Sequence, residues 1–122
     1  MTDQSTSIAE LRKLVADFVT ERDWNQFHSP KNLSMSLAIE AAELMEHFQW
    51  LTIDQSRAVA SDAAKLVEVR DELADVLCYA LALANELRID VAGAVRQKMV
   101  KNAKKYPADE FRGRFGKDDP NG

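Results

Sequence analysis

Cysteine, proline and glycine are scarce in this chain: one, three and four respectively among 122 residues. A single cysteine, Cys78, excludes a disulfide framework within one chain and fits a reducing compartment. So few glycines and prolines argue against a β-rich fold with its many turns, and leave long stretches free to be helical. No window approaches the roughly 20 uninterrupted apolar residues that a membrane-spanning helix needs. The opening residues, MTDQSTSIAE, are polar and lack the apolar core of a secretory signal. We therefore expect a cytoplasmic protein with no membrane partner. The formal charge of −4 is mild, and net acidity argues against a nucleic-acid partner.

What is present is helical periodicity. Apolar residues make up 46% of the chain and charged residues 30%, enough for one domain with a core, and we expect a single domain over 1–122. Ser7-Ile8-Ala9-Glu10 is a capping-box pattern that opens a first helix, from about Ile8 to Arg22. The period then breaks at DWNQFHSPKN. Ser29-Pro30 restarts it, and a second helix is expected from near Pro30 to about Leu51. Apolar residues cover most of that helix, so it should lie buried among neighbours. Asp54 can cap a short helix, and Ser61 or Asp62 can open the next long one, to about Leu87. Its apolar run after Asp75 reads as a central helix, with Cys78 inside it as a small core residue. Asp90 is a good cap for a fourth long helix to about Lys105, with Val91, Ala94, Val95, Met99 and Val100 facing inward. Tyr106-Pro107 ends it. The expected core spans about residues 8–107. The remainder, 108–122, reads as a tail that is loosely ordered or held by a partner subunit.

Within these helices a few charges are out of place. Between Leu33 and Met45 the only charged residues are Glu40 and Glu43. At about 100° per residue, positions three apart share a helix face. Glu72 and Asp75 repeat the spacing at the start of the next long apolar run. Carboxylates on largely apolar helices are costly unless compensated, and a divalent cation is the natural compensator. A hard cation such as Mg²⁺ prefers oxygen ligands and combines a few carboxylates with water and phosphate oxygens. Iron is disfavoured, because helical di-iron sites add Glu-x-x-His pairs and this chain has none. Mn²⁺ is an acceptable substitute. Between Arg96 and Lys105 lie five basic residues and no acidic one. Lys98, Lys101, Asn102 and Lys105 line one stripe that suits a polyphosphate. Trp24 and Phe27 lie just before the helix that carries Glu40, where a base can stack.

The segments ERDWNQFHSPKNL, EAAELMEHFQW, RDELADVLCYALALA and KMVKNAKKYP resemble the all-α nucleoside triphosphate pyrophosphohydrolases of the MazG-like superfamily, and most of all their dCTP pyrophosphatase branch. The resemblance covers roughly residues 8 to 110. It implies an all-α, MazG-like four-helix core completed by oligomerisation, as a dimer or tetramer with active sites shared between chains. It implies hydrolysis of a nucleoside triphosphate, dCTP or a modified dCTP, to a monophosphate and pyrophosphate. By motif position it assigns Mg²⁺ to Glu40, Glu43, Glu72 and Asp75. Lys98, Asn102, Lys105 and Tyr106 would contact phosphates or sugar, and Trp24, Phe27, His28, Trp50 and Tyr79 would border the base. Glu43 or Glu46 would position or deprotonate the attacking water. The rival reading is a non-catalytic helical dimerisation module, for which the apolar helices alone suffice.

Overall fold

A computed structural model describes residues 1–114. These residues form α1 (Ile8–Glu21), α2 (Pro30–Glu46), α3 (Ile53–Ala58), α4 (Ala63–Leu87), α5 (Val91–Lys105) and α6 (Ala108–Phe111), with short 3₁₀ turns at Asn25–Phe27 and Val59–Ser61. No strand occurs among the described residues. The fold is all-α.

Local chemistry sets most helix starts. Ser7 accepts a hydrogen bond from the Glu10 amide at 3.1 Å, and Glu10 accepts one from the Ser7 amide at 2.6 Å. This capping box satisfies two donors that the first turn would otherwise leave unpaired. Ser29 caps α2 through the Asn32 amide, with Pro30 at the first helical position. Asp62 caps α4 through Lys65, and Asp90 caps α5 through Gly93. A β-carbon added to Gly93 would lie 2.7 Å from the Asp90 carboxylate, so that capping oxygen needs glycine beside it.

The second helix stops earlier than its apolar pattern predicts, at Glu46 rather than Leu51. The Phe48 and Leu51 amides bond three residues back instead of four, which tightens the chain out of α-helix. Thr52 and Gln55 then form a second capping box, so α3 starts from Thr52 and not from Asp54.

Two compact units make up the chain, Met1–Ile89 and Asp90–Gly122. In the first unit α4, about 37 Å long by helical rise, packs against α2 and α1. Its core is small. Val19, Leu33, Val59, Ala82 and Ala84 are the buried apolar residues among those described, with Leu33 only 2% exposed. The expected burial of the second helix and centrality of the third long one are not met within one chain: Ile39 remains 59% exposed and Leu77 54%. Among the described residues of the first unit, no neighbour covers these apolar faces. Cys78, expected in the core, is exposed for the same reason. In the second unit Val95, Met99 and Val100, expected to face inward, are exposed as well. Within the expected tail, α6 forms after Pro107 and Phe111 packs edge-on against Tyr106 at 5.2 Å. Residues 115–122 lie outside those described.

Candidate active site

Glu40 and Glu43 project from α2, and Glu72 from α4. One carboxylate oxygen from each lies within 4.8 Å of the other two. All three residues are half-buried. Glu40 Oε2 and Glu72 Oε2 are buried and have no hydrogen-bond partner. Two unpaired carboxylate oxygens facing a third carboxylate are costly unless a partner compensates them. Its electrostatics follow. Burial, and after it the neighbouring Glu43 carboxylate, raise the Glu40 carboxyl to about 7. Burial and the charge of Glu43 likewise push Glu72 upward. The donor set is all oxygen, the orphans lack partners, and the charge calls for a cation, so the residues fit Mg²⁺.

Asp75 is exposed and outside this trio, one turn beyond Glu72. Its charge still raises Glu40 and Glu72. Asp75 also lines a cavity of about 470 Å³ between α1 and α4. From α1 come Leu14, Val15, Phe18 and Val19; from α4, Cys78, Tyr79 and Ala82; and from the connecting segment, Trp24 and His28. The cavity thus begins at the residue that borders the acid cluster.

Trp24 owes its place to how α1 ends. Asp23 takes a left-handed conformation, φ 53°. The Trp24 amide then bonds the Val19 carbonyl and the Asp23 amide bonds the Thr20 carbonyl, each at 3.0 Å. This Schellman turn folds Trp24 back over Val19. The Trp24 ring meets Phe18 edge-on at 5.7 Å, and the Arg22 guanidinium covers Phe18 at 3.7 Å. Aromatic walls, one imidazole and one carboxylate make a setting for a flat heterocycle.

Of the aromatic residues expected at a base site, Trp24, His28 and Tyr79 line this cavity. Phe27 and Trp50 do not, and Trp50 is 87% exposed. Glu46 is exposed at the last position of α2. Lys98, Asn102, Lys105 and Tyr106 belong to the second unit, where Asn102 is half-buried and Lys105 lies 5.3 Å from the Tyr106 ring. Reading for charge and aromaticity missed Leu14, Cys78 and Ala82. Val15, Phe18 and Val19 were missed as well, and the one available signal was a helix face shared with named residues: Cys78 follows Asp75, and Ala82 follows Tyr79, by three positions.

Among the described residues, a carboxylate trio on two packed helices and an aromatic cavity define an all-helical domain with an acidic cluster that could hold a metal ion. Residues 35–115 match the MazG-like family, and the chain belongs to that family. It is 41% identical over 102 residues to human dCTP pyrophosphatase 1, covering 84% of this chain and 60% of that protein. It is 39% identical over 107 residues to the bovine protein of the same name, covering 88% of this chain and 63% of that one. The chain thus spans 60–63% of the length of these curated relatives. A crystal structure of a pyrophosphatase from Archaeoglobus fulgidus superposes with a TM-score of 0.77 at 39% identity, covering 88% of this chain and 98% of that one. No helix among the described residues is long and apolar enough to cross a membrane.

Proposed function

We propose that this chain is a nucleoside triphosphate pyrophosphohydrolase. It cleaves between the α- and β-phosphates of dCTP or a base-modified dCTP, yielding the monophosphate and pyrophosphate, and so cleanses the nucleotide pool. The observation that carries this reading is the meeting of Glu40, Glu43 and Glu72, with two unpaired oxygens, one helical turn from Asp75, which lines an aromatic cavity. The names of the relatives supply the substrate class.

In this proposal Glu40, Glu43 and Glu72, with Asp75 beside them, hold Mg²⁺, and Mn²⁺ substitutes for it. When bound, the cation neutralises phosphate charge and acidifies water. Glu43 or Glu46 takes the proton of the attacking water. Trp24 and Tyr79 sandwich or edge the base, and His28 supplies a polar contact to it. Lys98, Asn102, Lys105 and Tyr106 carry the phosphate- and sugar-binding role, countering charge on the leaving pyrophosphate. The exposed apolar faces around Ile39 and Leu77 favour association of the domain with further copies of itself, as a dimer or tetramer. We place the work in the cytoplasm, where this substrate class is found.

The test is a panel of nucleoside triphosphates with Mg²⁺, scored for pyrophosphate against orthophosphate release. Pyrophosphate release, greatest with cytosine deoxynucleotides, is expected. Orthophosphate as the product, or no turnover on any member, refutes the reading and leaves the helical association module.

A further inference from the structure

Among the described residues, the long-range side-chain hydrogen bonds of the first unit are concentrated in one place. Arg12 Nε donates to Asn85 Oδ1 at 2.9 Å, and Asn85 Nδ2 donates to the Arg12 carbonyl at 3.1 Å. The Arg12 guanidinium also donates to the Ile89 carbonyl at 2.5 Å. Among the described residues every other side-chain hydrogen bond spans five positions or fewer, as from Asn25 to Thr20 or Asn32 to Phe27. Arg12 and Asn85 are half-buried. Each therefore satisfies groups that would be costly to strand at a partly dry helix contact.

These bonds join the same two helices that wall the cavity. On α4, Asn85 lies three residues past Ala82, about 4.5 Å along the axis, and ten past Asp75, about 15 Å. On α1, Arg12 precedes the wall residue Leu14 by two positions. The tie thus closes one end of the α1–α4 cleft. Asp75 and the acid cluster lie toward the other end, and so does Trp24, three residues past the end of α1. The apolar grip of α1 is slight, since Val19 is its one buried residue. The α1–α4 contact is thus pinned at one end by a side-chain fork, with little buried apolar surface on α1 to hold the rest.

We infer that Arg12 and Asn85 are positioning residues that set the gap between α1 and α4, and with it the fit of the nucleoside part of the substrate. The inference rests on the proposed pyrophosphohydrolase reading for its substrate, and on geometry alone for the clamp. Neither residue lines the cavity or belongs to the acid trio. Loosening them alters how the base is held without altering the groups that meet the phosphates.

The experiment compares the full-length wild type with Asn85→Leu, which keeps similar bulk without polar atoms, and with Asn85→Asp, which keeps the acceptor for Arg12 Nε. Arg12→Lys, which keeps the charge and loses the fork, serves as a milder second lesion. In Asn85→Leu, amide hydrogen exchange over residues 13–21 should rise about tenfold, with residues 36–44 of α2 unchanged. KM for the best nucleoside triphosphate should rise about tenfold with kcat within about twofold, the pattern of lost uniform binding. Inhibition by inorganic triphosphate, which has no nucleoside part, should not move. Asn85→Asp should recover most of the KM, and Arg12→Lys should shift exchange and KM the same way by less. Exchange rising equally in α1 and α2, or kcat falling in step with kcat/KM, overturns the clamp and leaves a general stabiliser. If the wild type releases no pyrophosphate, the proposed activity falls, while the exchange comparison still decides the clamp.

Discussion

Acidification from pH 8 to pH 5 should weaken Mg²⁺ binding by about a hundredfold. The cation accepts Glu40 only as a carboxylate, so protons and metal compete for the same oxygen. With its carboxyl near 7, Glu40 is about nine-tenths ionised at pH 8 and about one-hundredth ionised at pH 5. The apparent affinity falls in that ratio, roughly one decade per pH unit once the pH is below 7. A glutamate at the ordinary 4.5 stays about three-quarters ionised at pH 5, and the affinity would then drop by less than about twofold. Isothermal titration with Mg²⁺ at half-unit pH steps separates the two. In the metal-free protein the sign is reversed for stability. The native Glu40 binds its proton more tightly than the unfolded one, so its contribution is fully present below about 4.5, is lost as pH rises through about 7, and is flat above. Saturating Mg²⁺ removes that decline. Glu40→Gln should bind Mg²⁺ weakly and without the transition near 7. Equal affinity at pH 8 and pH 5, or a midpoint near 4.5, would refute the picture of a partly dry, crowded acid cluster.

Three other outcomes follow from named contacts. Glu43→Gln should reduce turnover by on the order of a hundredfold or more, the scale for losing one electrostatic contributor to a transition state; steady-state pyrophosphate release checks it, and wild-type turnover would remove Glu43 from the chemistry. Leu33→Ala empties the best-buried side chain and should cost about 2–5 kcal/mol in urea unfolding; a loss under about 1 kcal/mol would mean that α2 does not anchor there. Arg88 ends α4 at φ 54°, so Arg88→Gly should stabilise by up to about 1 kcal/mol, left-handed strain being relieved against a small gain in unfolded-state freedom. A lower melting temperature for that variant would contradict it.

Legibility in the sequence divides along the range of the interaction. The caps at Ser7, Ser29, Asp62 and Asp90 act within three residues; Ser7, Ser29 and Asp90 can be read directly, and Asp62 as one of two candidates with Ser61. Glu40 and Glu43 stand out because charge interrupts an apolar stretch, Glu72 because it repeats their spacing with Asp75, and the meeting of the three needs only that α2 and α4 pack. The left-handed ends at Asp23 and Arg88 carry no glycine, so nothing marks them. The early stop of α2 depends on a competition between its apolar run and the Thr52–Gln55 box, which periodicity does not weigh. Arg12 and Asn85 are 73 positions apart, and neither residue type announces a partner. Periodicity reported that the faces around Ile39, Leu77 and Met99 are apolar, and could not report what covers them.

The proposed activity requires three acids from two helices to act as one cation site. Titration of Mn²⁺ into the protein, followed by loss of the free ion's paramagnetic resonance signal, addresses it without any turnover. Saturable binding is expected for the wild type and competed by Mg²⁺, with Glu40→Gln, Glu43→Gln and Glu72→Gln each weakening it about tenfold or more. Undiminished binding in all three variants, or none in the wild type at neutral pH, would contradict it.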